Sequence, residues 1–203
     1  GGMEGFMSFD KVTVENDIAV ITSQHILAQV VQDLGLQTSI YSVGKIKTSL
    51  QFNGSKPLTI EFKKPFKEKQ ELELQIVNNR MLITSDTLSF TLTKGEVLDQ
   101  ENFFIQAKDS LFLKDQEFKI SHTSLNAAVS RLRGNLTVTS ESKYGETMFL
   151  SFEGTNSKRN EAILNTLIQV LAEDQVADKR EISDVSIAFI EERLKGLTES
   201  IDT

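Results

Sequence analysis

The chain contains no cysteine, which excludes a disulfide framework, thiolate metal sites and cysteine nucleophiles together. This absence does not fix the compartment, because a domain of this size folds without disulfides in oxidising surroundings too. Tryptophan is also missing and tyrosine is limited to Tyr41 and Tyr144, so a carbohydrate-binding platform of exposed aromatic rings is poorly supplied. No apolar run approaches the roughly 20 residues that cross a bilayer. The opening Gly1-Gly2-Met3-Glu4-Gly5 lacks the basic and then apolar stretches of a signal peptide. Alone, these absences read as cytosolic; a segment trimmed of membrane anchors has the same appearance. Basic residues are outnumbered, 22 against 29 acidic, and the net charge of −7 argues against nucleic acid as a partner.

What is present is ordinary globular texture: 203 residues, 39% hydrophobic and 25% charged, enough for one large domain or two small ones with a real core. Val14–Leu36 carries apolar residues in steps of three and four, with Ser23-Gln24 as a break and Gly35 as a stop. Alternation then takes over. Ile40 and Ser42, then Ile46, Thr48, Leu50 and Phe52, form strands around Gly44, closed by Asn53-Gly54.

From Pro57 to about Glu117 short strand-like runs follow one another: Leu58–Phe62, Leu72–Val77, Met81–Thr84, Leu88–Thr93 and Val97–Ile105. Asn78-Asn79 suits a tight hairpin. A β unit this small should lean on the rest of the chain. Helical pattern returns at Ser124–Leu132 and stops before Gly134. A strand pair, Leu136–Thr139 and Met148–Phe152, is joined across Lys143-Tyr144-Gly145. Asn156 is the expected N-cap of a helix whose stripe is Ile163, Leu164, Leu167, Ile168 and Leu171. A further helix runs from Ile182 with Ile187, Ile190, Leu194, Leu197 and Ile201 spaced 3-4-3-4, a heptad seam with no stop signal after it. The expectation is therefore a helix cut partway along.

No catalytic constellation emerges. His25 and His122 are about a hundred residues apart without sequence-local partners, and both read as structural or surface residues. Ser121-His122 lacks a Gly-x-Ser-x-Gly elbow. Gly44-Lys45 fails as a phosphate loop, with Ser39 where the first glycine belongs and Ile46 where Ser or Thr should follow. Glu173-Asp174 and Glu191-Glu192 are helix neighbours pointing about 100° apart, so they do not face each other across a cleft. Lys63-Lys64-Pro65-Phe66-Lys67-Glu68-Lys69 is the only basic cluster; a solvated loop and a contact for anionic lipid or acidic polysaccharide are its two readings. Arg131 and Arg133 flank Leu132 and offer an interface at most. The heptad seam has two uses as well: packing on its own domain, or association with neighbouring helices.

Three stretches resemble one family. Val14-Glu15-Asn16-Asp17-Ile18-Ala19-Val20-Ile21-Thr22-Ser23, with Val30-Val31 and Leu34-Gly35-Leu36, looks like the opening periplasmic segment of bacterial polysaccharide co-polymerases. These are chain-length determinants and related capsule and exopolysaccharide tyrosine kinases (Wzz/Wzc type). Leu136-Thr137-Val138, Phe149-Leu150-Ser151-Phe152 and Ala162-Ile163-Leu164-Asn165-Thr166-Leu167-Ile168 form the second match; Phe189-Ile190-Glu191-Glu192-Arg193-Leu194 resembles the start of the family's long helix. The matches cover about 1–52 and 118–203, and Bacteroidetes-type members are similar in carrying a β-rich insertion between such ends. Ser157 departs from the family's common Pro at the first helical position, and Leu171 from a common aromatic; neither breaks the pattern.

The resemblance implies an α+β fold. Its parts are an α/β membrane-proximal base of the chain-length-determinant type (1–55 and 118–203), a β-rich insertion (56–117) and a truncated C-terminal long helix. It also implies a periplasmic location in an inner-membrane protein, with membrane contact through flanking helices outside these residues. The implied partners are further copies of the chain, the polysaccharide polymerase, an outer-membrane exporter and the polysaccharide itself. Kinase members hold their nucleotide-binding motifs in a cytoplasmic domain, and nothing like those motifs occurs here. The expectation is a non-enzymatic scaffold without cofactor, with Ile187, Ile190, Arg193, Leu194, Leu197 and Ile201 in helix packing or inter-subunit contact. The periplasmic domain of a transporter or efflux assembly and a carbohydrate-binding module are the alternatives.

Overall fold

The computed structural model describes residues 7–52, 55–64, 68–86, 88–140 and 147–201, and these form a mixed α and β fold. Helices α1 (Met7–Ile21) and α2 (Gln24–Asp33) are separated where the sequence predicts. Ser23 is extended there and its hydroxyl accepts from the Ile26 amide at 3.3 Å, starting α2 while ending the run of α1. Gly35, at φ +60°, ends the helical run after Leu34, a backbone conformation that a side chain would strain.

Strands β1 (Thr38–Val43) and β2 (Thr48–Gln51) form an antiparallel hairpin. At its tip a Cβ on Gly44 would lie 2.8 Å from the Lys47 carbonyl oxygen, so only glycine fits. Ile46, expected in a strand, belongs to this turn and is fully exposed at 101%. Asn53-Gly54 lies outside the described residues.

The middle segment supplies β3 (Leu58–Phe62), β4 (Gln70–Val77), β5 (Arg80–Thr84), β6 (Ser89–Thr93), β7 (Val97–Asp99) and β8 (Phe103–Ala107). The run expected as one strand over Val97–Ile105 is two, because the Gln100 amide donates to the Phe103 carbonyl at 2.9 Å and closes a turn. Asn78 and Asn79 both take positive φ, 50° and 62°, as a two-residue type I′ hairpin between β4 and β5 requires. The chain continues into β9 (Gln116–His122), α3 (Leu125–Asn135), β10 (Leu136–Ser140), β11 (Met148–Phe152) and α4 (Ser157–Ile201).

One antiparallel six-stranded sheet has the order β2-β1-β9-β4-β5-β6, a three-stranded sheet the order β3-β8-β7, and β10 pairs with β11. Strict alternation in β4 buries Leu72, Leu74 and Ile76 while Glu71, Glu73 and Gln75 face water. These residues join Met81, Ile83, Phe118, Ile120 and Ile40 against Leu58, Phe103 and Ile105 of the smaller sheet. A second core unites Ile26, Leu27, Val30 and Val31 of α2 with Ala128, Val129 and Leu132 of α3 and with Ile163, Leu167 and Val170 of α4. The core of the 56–117 segment is shared with Ile40, Phe118 and Ile120 from outside it, and the large sheet crosses both expected limits: β4 hydrogen-bonds β9, and β9 hydrogen-bonds β1.

Helix details differ from expectation in three places. α3 runs through Gly134 to Asn135, where a Cβ at Gly134 would meet nothing within 4 Å. Ile168 is 55% exposed, and Val170 takes its expected place in the core. The two helices expected around 157–171 and from Ile182 are one continuous helix of 45 residues, α4, with no glycine or proline between Ser157 and Arg193 to interrupt it.

Candidate functional site

The distinctive feature is α4, which is anchored at its start and bare beyond. Asn156 caps it twice over: its Oδ1 accepts from the Arg159 amide at 3.0 Å, and its Nδ2 donates to the Leu50 carbonyl at 3.1 Å, tying the helix start to β2. Asn160 Nδ2 donates to the Gly154 carbonyl at 3.0 Å, and a Cβ on Gly154 would sit 2.4 Å from Asn160 Oδ1. Ile163, Leu167 and Val170 then enter the second core, each contributing about 1.5–3 kcal/mol of burial. Among the described residues the last ion-pair contact of α4 with the body is that of Asp174 Oδ1 with His25 Nε2 on α2, at 3.4 Å.

From Gln175 to Glu191 every residue of α4 is exposed. At about 1.5 Å per residue, the stretch from there to Ile201 projects roughly 40 Å. Its surface is not that of a solvated helix. Val176, Ile182, Val185, Ile187, Phe189 and Ile190 are 49–68% exposed, more apolar side chain than a lone helix in water normally shows.

These apolar residues fall in two rows. At about 100° per residue, Ile182, Val185 and Phe189 continue the flank of the face that α4 buries in the body. Ile187 and Ile190 lie roughly opposite that face, and Leu194, Leu197 and Ile201 occupy the same row by position; their side chains lie outside the described residues. Among the described residues, then, the first members of the heptad seam do not pack on their own domain. Arg193 is exposed and its guanidinium stands 5.6 Å from the Phe189 ring centroid, one turn back on the same helix.

The other candidates are dispersed. His25 is exposed on α2. His122 is buried at the end of β9, shares a 2.9 Å hydrogen bond between its Nδ1 and Thr38 Oγ1, and stacks on Phe62 at 4.0 Å; burial lowers its pKa. Arg131 and Arg133 brace the fold: Arg131 Nη2 donates to the Leu36 carbonyl and Arg133 Nε to the Thr22 carbonyl, each at 3.0 Å. In the basic cluster Lys63 pairs with Asp99, Lys64 with Glu101 and Lys69 with Glu71, which fits the solvated-loop reading; Pro65–Lys67 lies outside the described residues, as does Lys143-Tyr144-Gly145. Among the described residues, no group of three or more His, Asp and Glu side chains is placed to hold a metal ion, and no helix is long and apolar enough to cross a membrane.

The arrangement is that of a mixed α and β fold that projects a long helix with its apolar rows uncovered among the described residues. No family model matches the chain. It is 22% identical over 195 residues, 92% of its length, to the tyrosine-protein kinase wzc of Salmonella typhimurium (strain LT2) and, to the same extent, to that of Salmonella typhi. The chain spans 27% of the length of each, about a quarter of these relatives. This distant likeness to Wzc agrees with the family that the sequence motifs resemble.

Proposed function

We propose that this chain is the periplasmic scaffold region of an inner-membrane polysaccharide co-polymerase. In that role it regulates the chain length or export of capsular, exopolysaccharide or O-antigen polysaccharide through oligomerisation, with no chemistry of its own. The observation that carries the reading is the likeness to Wzc along 92% of the chain. The kinase activity in the relatives' name belongs, on this reading, to parts of the parent beyond these residues. The base is then built from α1, α2, β1 and β2 together with β9, α3, β10, β11 and α4, and the 56–117 strands are inserted into it.

The bare rows of α4 give the scaffold its means of assembly. Burying Ile187 and Ile190 against a neighbouring copy would contribute about 1.5–3 kcal/mol for each side chain fully covered. The full-length protein would present several such residues along one seam, alongside the polymerase and an outer-membrane exporter. The test is polymer length in cells expressing the full-length protein with Ile187→Glu and Ile190→Glu together. A shifted or broadened length distribution at unchanged membrane level of the protein is expected; an unchanged distribution would contradict the proposal.

A further inference from the structure

A cavity of about 210 Å³ opens where the start of α4 meets α3 and the β1–β2 hairpin, and two arginines line it. Arg131 comes from α3 and Arg159 from the first turn of α4. Arg131 is anchored through Nη2 on the Leu36 carbonyl. The half-buried Arg159 guanidinium has no hydrogen-bond acceptor and no carboxylate within ion-pair distance among the described residues. Glu153 also lines the cavity but is exposed and pairs with neither arginine.

Two like charges held together without a counter-ion oppose folding. The cost is visible in the ionisation of the group: burial first, and then the charge of Arg131, lower the Arg159 pKa, against a smaller opposing effect of Tyr41. Lys56 adds a third positive charge close enough to Arg159 to be lowered by it, after the larger effect of its own burial. α4 begins at the same place, and the partial positive charge of a helix N-terminus has the same sign. Among the described residues the Arg159 side chain makes no hydrogen bond or ion pair that would offset this. A guanidinium fork is shaped to receive a pair of oxygens.

We propose that this cavity binds an oxyanion, either a phosphate or the carboxylate of a single acidic sugar, held between Arg159 and Arg131. The cavity is smaller than the roughly 300–1,000 Å³ typical of larger organic ligands, which suits a group of this size. Phosphate and carboxylate share the geometry that a guanidinium recognises, and the binding arms below separate them. The inference is independent of the assembly proposed for α4, since it concerns a different face and needs only one copy of the chain.

The test is a backbone amide NMR titration of the 203-residue chain with sodium phosphate, sodium glucuronate and neutral glucose at constant ionic strength. Saturable shifts centred on Asn156–Arg159 with one or both anions, and none with glucose, are expected. Arg159→Gln should weaken the binding about tenfold, the loss of one charge-assisted contact, while Lys114→Gln, at a residue that does not line the cavity, leaves it unchanged. If Arg159→Gln proves unfolded, Lys56→Gln tests the same site and should weaken binding about two- to threefold by charge alone. Phosphate binding alone would identify a phosphate-bearing ligand, glucuronate binding alone an acidic sugar. No saturable shift with either anion, or binding unaltered in the folded variants, would overturn the proposal.

Discussion

Arg133 donates from Nε to the carbonyl of Thr22 at 3.0 Å, joining the last turn of α3 to the residue that follows α1, 111 positions earlier. Arg131 does the same for the Leu36 carbonyl just beyond α2. Helix ends leave backbone carbonyls without partners, and a guanidinium supplies charged donors to them. The two arginines that flank Leu132 therefore staple both N-terminal helices to α3 while Leu132 fills the core between them. Arg131→Ala should cost about 1 kcal/mol of stability, and Arg133→Ala, at the more exposed contact, less. Urea unfolding of the two variants checks this order.

The two halves of α4 should differ sharply in their response to the same substitution. Ile163 is 1% exposed in the second core, so Ile163→Ala opens a cavity and should cost about 2–5 kcal/mol. Ile187 is 52% exposed, and Ile187→Ala removes no internal contact while favouring helix slightly, so its effect should stay within about 0.5 kcal/mol. Thermal unfolding of both variants in the isolated chain measures the contrast. A large loss at Ile187 would mean that the outer half of α4 packs on the body after all.

His122 gives stability a defined pH dependence. Its folded pKa is lowered by burial, so the unfolded chain takes up the proton first as the pH falls. The stability associated with its neutral form is complete above the unfolded pKa near 6.5 and declines as the pH drops towards the lowered folded value. Tm should therefore fall between pH 7.5 and 5.5. His122→Gln should flatten that slope while lowering Tm throughout, because the stack on Phe62 and the bond to Thr38 are lost.

Local signals in the sequence translate directly into structure where a single residue decides the backbone. Asn156 caps the helix expected of it, Ser23 stands at the expected break between α1 and α2, and Asn78-Asn79 turns as that pair should. Signals that depend on tertiary surroundings do not. Ile168 has the same chemistry as Val170, and only the direction from which α2 approaches α4 decides which is buried. The division of α4 into two helices failed because a weakly patterned polar stretch, Asp174–Glu181, resembles a linker although it lacks any helix breaker. Arg131 and Arg159 are far apart in the chain, and neither has a motif around it; only folding brings them to one cavity. The heptad seam was legible because its spacing is intrinsic to the helix, whereas which side of α4 it would occupy depends on the body that the helix leaves.

The assembly step of the proposed function needs the outward seam of α4 to meet the same seam in a neighbouring copy. The direct test is disulfide or short bis-maleimide cross-linking of Ile190→Cys in the full-length protein, in native membranes and with any other cysteines replaced. These 203 residues contribute none. Covalent dimers at Ile190→Cys, and far fewer at a cysteine placed at Lys114 on the body, are the predicted result. Monomer alone at position 190, from a protein that still supports polymer export, would contradict it.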